Sequence, residues 1–174
     1  NELILLAGRT KDAASDKPFT TIVEVFERNK ALADDIGYDK VKGIVTIEGT
    51  KSEVRAVSST FGGQAGADWT VCHVDELSYF TDKKMIEFYN VLTTPSLARV
   101  NPMICVTSYA PIKGRSAPLE KLYARAKKPG KRFYASIVQG AEDIIASTPW
   151  ITKEKLRQAK DTVPPHVYRR VFLN

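Results

Sequence analysis

The stretch Trp69 to Glu76, WTVCHVDE, is a short apolar run that delivers two adjacent carboxylates at its end. Its length and its β-branched content read as a buried strand of an α/β sheet. After it, Asp82 offers an N-cap to a helix carrying Met85, Ile86, Phe88, Tyr89 and Leu92, which Pro95 stops. A second apolar run, Met103 to Val106, closes in Thr107 and Ser108. Strand, helix and strand in that order make a βαβ unit, whose two strands lie parallel and adjacent.

The same alternation extends in both directions. Upstream, Leu3 to Ala7 is continuously apolar up to Gly8, and Phe19, Ile22, Val23, Phe26 and Leu32 recur at helical spacing, with Asp12 and Ser15 as candidate caps. Pro18 fits only in the first turn of that helix, and Asp34 and Gly37 end it. Gly43 to Glu48 and Glu53 to Ser58 read as a hairpin or two adjacent strands. Downstream, Leu119 to Ala126 and Thr152 to Lys160 read as helices, Phe133 to Val138 as a strand, and Pro165 opens a short final helix. The expected fold class is α/β, a mostly parallel sheet flanked by helices. Residues 1–140 form the core, and 141–174, where strand-like runs cease, a helical segment.

Open α/β sheets bind ligands beyond the carboxyl ends of their strands, which is where Asp75 and Glu76 stand. Neighbouring side chains diverge, so the two acids can take separate tasks. Asp75 can hold Mg²⁺ through its water shell, and Glu76 can orient and deprotonate an attacking water. The plainer reading, a strand end followed by a cap, is weakened by Asp82, which already supplies the better cap. Thr107 and Ser108, brought beside the acids by the crossover, can hydrogen-bond an attacking water or a terminal phosphate. As a strand end before a turn they would need no such role.

The chain of 174 residues, 43% hydrophobic and 26% charged, suffices for one core and is far from disordered or fibrous composition. Its net charge of +6 favours a polyanionic partner. Lys113, Arg115, Lys121, Arg125, Lys127, Lys128, Lys131 and Arg132 face one acid, Glu120, which suits a DNA-facing patch or a solvated helix face. Cys72 and Cys105, each inside an apolar run, read as buried free thiols, and His73 as packing. No zinc spacing is present, no apolar run is long enough to span a bilayer, and no leader opens the chain, so the expectation is a soluble, intracellular protein. Asn1 begins without an initiator methionine, as an excised piece of a longer polypeptide would.

The DE-terminated strand, the helix and the strand ending in Thr107-Ser108 resemble the Walker B and coupling motifs of viral large terminase subunits. LLAGRTKDAASDKPFTTIVEVFERN, Leu5 to Asn29, is similar to the strand and helix after that family's P-loop. EVRAVSSTFGGQAGADWTVCHVDE, Glu53 to Glu76, is similar to its approach to Walker B, and HVYRRVFLN, His166 to Asn174, to the end of its linker subdomain. The resemblance implies a P-loop NTPase-like sheet, incomplete here, and an ATPase that packages double-stranded DNA into procapsids. It implies ATP and Mg²⁺ as cofactors, Asp75 for Mg²⁺, Glu76 as catalytic base, and Thr107 with Ser108 coupling hydrolysis to movement. It further implies a ring of subunits, a portal protein and a small terminase subunit as partners, no membrane, and the host cytoplasm as location. Lys113, Arg115, Lys127, Lys128, Lys131 and Arg132 are the candidate DNA contacts. Two departures stand out. GxxxxGK followed by Ser or Thr is absent, so the fragment is expected to be inactive alone, and Ala65 before Gly66 occupies the place of an arginine that in many terminases serves a neighbouring subunit. Arg9 and Arg55 are the candidate replacements. A helicase-like P-loop ATPase would share the DE and TS elements, and a non-catalytic nucleic-acid-binding module would need only the basic cluster.

Overall fold

The computed structural model describes residues 2–59, 68–94, 99–128, 130 and 132–173, without the side chains at 11, 12, 15, 16, 30 and 33. Ala65, Gly66, Pro95 and Lys131 therefore lie outside the described residues, as do the Asp12 and Ser15 side chains. Two compact units divide the chain, Asn1–Ser108 and Tyr109–Asn174.

The first unit runs β1 (Leu3–Gly8), α1 (Lys11–Ala14), a π-helical turn (Ser15–Phe19), α2 (Thr20–Arg28), α3 (Lys30–Ala33), β2 (Ile36–Asp39), β3 (Ile44–Ile47) and β4 (Glu53–Ser58). It continues with β5 (Val71–Asp75), a 3₁₀ turn (Leu77–Tyr79), α4 (Lys83–Thr93) and β6 (Met103–Thr107). The six strands form one mixed sheet in the order β2-β3-β4-β1-β5-β6. β1 is parallel to β4 and β5, β5 is parallel to β6, and only the pairs involving β3 are antiparallel.

Burial explains why β1 lies inside. Leu5, Leu6 and Ala7 are all at most 4% exposed, so both faces of the strand are covered. On one face Leu6 joins Ala14, Phe19, Val23, Val45 and Ala56 in a core edged by Ile4, Ile22, Phe26, Ile36 and Val54. Alternation puts Leu5, Cys72 and Val74 on the other face, each at 0% exposure. α4 buries Phe88, Tyr89 and Leu92, with the Phe80 and Phe88 rings stacked 6.4 Å apart. Gly8 lets α1 start directly over the end of β1, because a Cβ there would stand 2.7 Å from the Ala14 nitrogen.

The helix expected after β1 is divided. Thr10 supplies the described cap, its Oγ1 accepting from the Ala13 nitrogen at 3.0 Å. Pro18, which lacks an N–H and cannot continue an α-helical ladder, sits in the π-helical turn before α2. β2 is an addition to the expected hairpin. Its four residues pair with β3, and Tyr38 donates to Glu27 Oε1 on α2 at 2.6 Å. Cys105, expected inside, is exposed because β6 is an edge strand, and Met103 and Ile104 are 55% and 39% exposed beside it. Asp82 caps α4 as expected, accepting from the Met85 nitrogen at 2.9 Å.

The second unit contains α5 (Ala117–Ala126), α6 (Gly140–Ser147), α7 (Lys153–Thr162), α8 (Pro165–Tyr168) and a π-helical turn (Arg169–Leu173). Pro118 stands in the first turn of α5, Thr152 caps α7, and the Tyr168 and Phe172 rings stack at 5.7 Å. The strand expected over Phe133 to Val138 does not form. Phe133 lies under the Arg125 guanidinium at 4.6 Å, while residues 134–137 are exposed and no described strand pairs with them. No helix among the described residues is long and apolar enough to cross a membrane.

Candidate functional site

Parallel pairing of β5 with β6 sets Asp75 opposite Thr107 at the carboxyl end of both strands. Thr107 Oγ1 donates to Asp75 Oδ1 at 2.6 Å, and the Glu76 backbone nitrogen donates to the same oxygen at 2.9 Å. Two donors on one oxygen leave Asp75 Oδ2 without a hydrogen-bond partner among the described residues. Ser108, the next residue after β6, is held differently. Its Oγ accepts from the Ser78 nitrogen at 2.8 Å, tying the end of β6 to the 3₁₀ turn that follows the acids.

Glu76 has φ 53° and ψ 41°, the left-handed region, and is the one described non-glycine residue with positive φ. L-residues meet a Cβ–carbonyl clash there, so the surroundings must hold the residue in place. Leu77 and Ser78, both 0% exposed, anchor the chain on its far side. The consequence is a sharp turn directly after Asp75. Both line a cleft of about 200 Å³ with Gly8, Arg9, Ala13 and Lys17. Arg9 and Lys17 are exposed, so the cleft combines two acids with two cations. Arg55, the other arginine candidate, is ion-paired with Glu53 on its own strand and does not line the cleft.

His73, read from sequence as packing, has its Nε2 3.0 Å from Thr107 Oγ1. The signal that finds it is the strand period of two, which puts residue 73 on the same face as residue 75. Buried Cys72, on the opposite face, has its thiol pushed up to about 12 by burial.

The donor set fits Mg²⁺ better than a metal caged by protein. Among the described residues no group of three or more His, Cys, Asp or Glu side chains could hold a metal ion. One carboxylate with a free oxygen, beside a second acid, is what an ion that keeps waters and phosphate oxygens requires. A phosphate-cradling loop is not part of this sequence. In the second unit Lys113, Arg115, Lys127, Lys128 and Arg132 are exposed and make no ion pair among the described residues.

No protein-family profile matches the chain, and no curated protein sequence does. Solved structures do. The HK97 bacteriophage large terminase superposes on 99% of the chain with a TM-score of 0.79 at 15% identity. The large terminase of a thermophilic bacteriophage superposes on 99% with a TM-score of 0.70 at 12% identity. A variant of the large terminase ATPase domain of Thermus phage P74-26 superposes on 97% with a TM-score of 0.62 at 13% identity. The chain spans 39% and 40% of the first two proteins and 74% of the third. The chain therefore shares the fold of these structures, a mostly parallel sheet flanked by helices as the sequence pattern predicts, and P-loop NTPase-like as the resemblance implies.

Proposed function

We propose that this chain is part of the ATPase of a viral large terminase, the motor that couples Mg-ATP hydrolysis to packaging of double-stranded DNA into a procapsid. The observation that carries the reading is Asp75, locked by Thr107 at the rim of the sheet with one oxygen free and Glu76 turned into the same cleft. Asp75 would hold Mg²⁺ through its free oxygen, and the bound ion would neutralise charge developing on the transferred phosphoryl group. Glu76 is unpaired among the described residues, and its carboxylate accepts a proton from the attacking water. Thr107 and Ser108 couple that event to movement, because one is bonded to Asp75 and the other to the turn behind Glu76. The exposed edge of β6, with Met103 and Ile104 uncovered, leaves room beside the hydroxyl pair for a further strand. The phosphate cradle must come from residues outside this sequence, so the chain alone binds nucleotide too weakly to turn it over.

In the intact motor Lys113, Arg115, Lys127, Lys128, Lys131 and Arg132 contact the DNA backbone, and residues 141–174 form the linker segment. Portal protein, small subunit and further copies in a ring complete the machine, in the host cytoplasm. The test is ATP-dependent protection of DNA from nuclease in a packaging reaction with procapsids. Asp75→Asn in the full-length protein abolishes protection, whereas packaging at the wild-type level would refute the proposal. ATP-driven strand separation without protection would favour a helicase instead.

A further inference from the structure

We propose that His73 is a positioning residue whose ring N–H fixes the hydroxyl of Thr107 on Asp75. This rests on the reading that Asp75 holds the metal. Thr107 Oγ1 lies 2.6 Å from Asp75 Oδ1 and 3.0 Å from His73 Nε2. A hydroxyl has one proton, and an ionised carboxylate can only accept. The Thr107 proton therefore goes to Asp75, and the contact with His73 can be a hydrogen bond only if Nε2 carries a proton and donates it. All donors then run one way, from His73 through Thr107 to Asp75, and each bond strengthens the next.

The strand geometry makes this relay possible. His73 and Asp75 are two apart on one face of β5, and the register places Cys105 opposite His73 and Thr107 opposite Asp75. The imidazole is half-buried and reaches one step along the strand to the hydroxyl. Without it the Thr107 hydroxyl can rotate away, and Asp75 Oδ1 keeps a single fixed donor, the Glu76 nitrogen. A metal-holding carboxylate is only as well aimed as the groups that hold its other oxygen.

Two measurements test the relay. In long-range proton–nitrogen NMR of the 174-residue chain at pH 8, His73 is expected as the Nε2–H tautomer with an exchange-protected proton, and that protection is lost in Thr107→Val. A Nδ1–H tautomer, or protection unchanged in Thr107→Val, overturns the proposal. In the full-length protein His73→Phe is expected to lower kcat for ATP about tenfold with KM unchanged, the size of one lost hydrogen bond. His73→Gln, whose amide can still donate, restores most of the rate, and His73→Phe with Thr107→Val is no slower than Thr107→Val alone. Full turnover in His73→Phe while Glu76→Gln is dead overturns the relay and leaves the hydrolytic reading standing. Full turnover in Glu76→Gln defeats the hydrolytic reading, and the NMR result then decides the hydrogen bond by itself.

Discussion

Replacing Glu76 by glycine should make the chain more stable while destroying the site. The residue is held at φ 53°, where an L side chain costs about 1–2 kcal/mol relative to the right-handed regions. Glycine removes that cost and adds about 0.5–1 kcal/mol of backbone entropy lost on folding. The Glu76 side chain makes no described hydrogen bond or ion pair, and its backbone N–H bond to Asp75 survives the change. The net gain is centred on about 0.75 kcal/mol within a range of about 0–1.5 kcal/mol, which at the centre is roughly 1.5–3 °C in Tm for a chain of this size. Alanine separates the backbone effect from loss of the carboxylate, because it also lacks the acid but keeps the Cβ and its clash. Thermal unfolding followed by tryptophan fluorescence suits the purpose, since Trp69 is 2% exposed in the same unit. The expected order places Glu76→Gly above wild type and Glu76→Ala at or slightly below it. A glycine variant no more stable than the alanine variant would refute the claim that the backbone is strained at this residue.

Cys72 is buried with its thiol pushed up to about 12, whereas Cys105 is exposed, so a thiol reagent at pH 8 should titrate one cysteine quickly and the second only after unfolding. Two fast thiols would contradict the described burial. Asp82→Ala removes the cap bond to Met85 and should cost about 1 kcal/mol in urea unfolding, an effect that Asp82→Ser largely avoids. The hydrogen bond from Tyr38 holds Glu27 below its ordinary value of 4.5, with Lys40 assisting, and Glu27 in turn raises Tyr38 above 10.0. The lowered acid contributes stability above pH 4.5 that is lost as pH falls through its folded value. The raised phenol contributes stability below pH 10 that is lost as pH rises through its folded value. The gap between wild type and Tyr38→Phe should therefore be widest between those limits, and a gap independent of pH would exclude the pair.

The parallel part of the sheet was legible because a strand buried on both faces must be apolar throughout. Leu3 to Ala7 satisfies that condition, Trp69 to Val74 does so apart from Thr70 and His73, and the crossover between β5 and β6 then determines that Asp75 meets Thr107. Short or lightly buried elements escaped. β2 contains Gly37 and an exposed Tyr38, and its pairing depends on β3 rather than on its own pattern. Phe133 to Val138 has strand composition without a strand partner among the described residues, and pairing is a tertiary event that local pattern does not report. Cys105 looked buried because its neighbours are apolar, but exposure at an edge depends on what covers the strand. At the site, the acids and hydroxyls could be named from their place at strand ends. The left-handed turn at Glu76 could not, because glutamate gives no sign of that conformation, and His73 emerges only when residues 73, 75 and 107 are seen to share a face.

The central claim is that Glu76, on the turn that follows Asp75, takes the proton of the water that attacks ATP. Its most direct test is steady-state hydrolysis of Mg-ATP by the full-length protein with Glu76 replaced by Gln, measured beside equilibrium binding of a fluorescent ATP analogue. The account predicts that binding persists while kcat falls by about a hundredfold or more. Hydrolysis at the wild-type rate in that variant would contradict it.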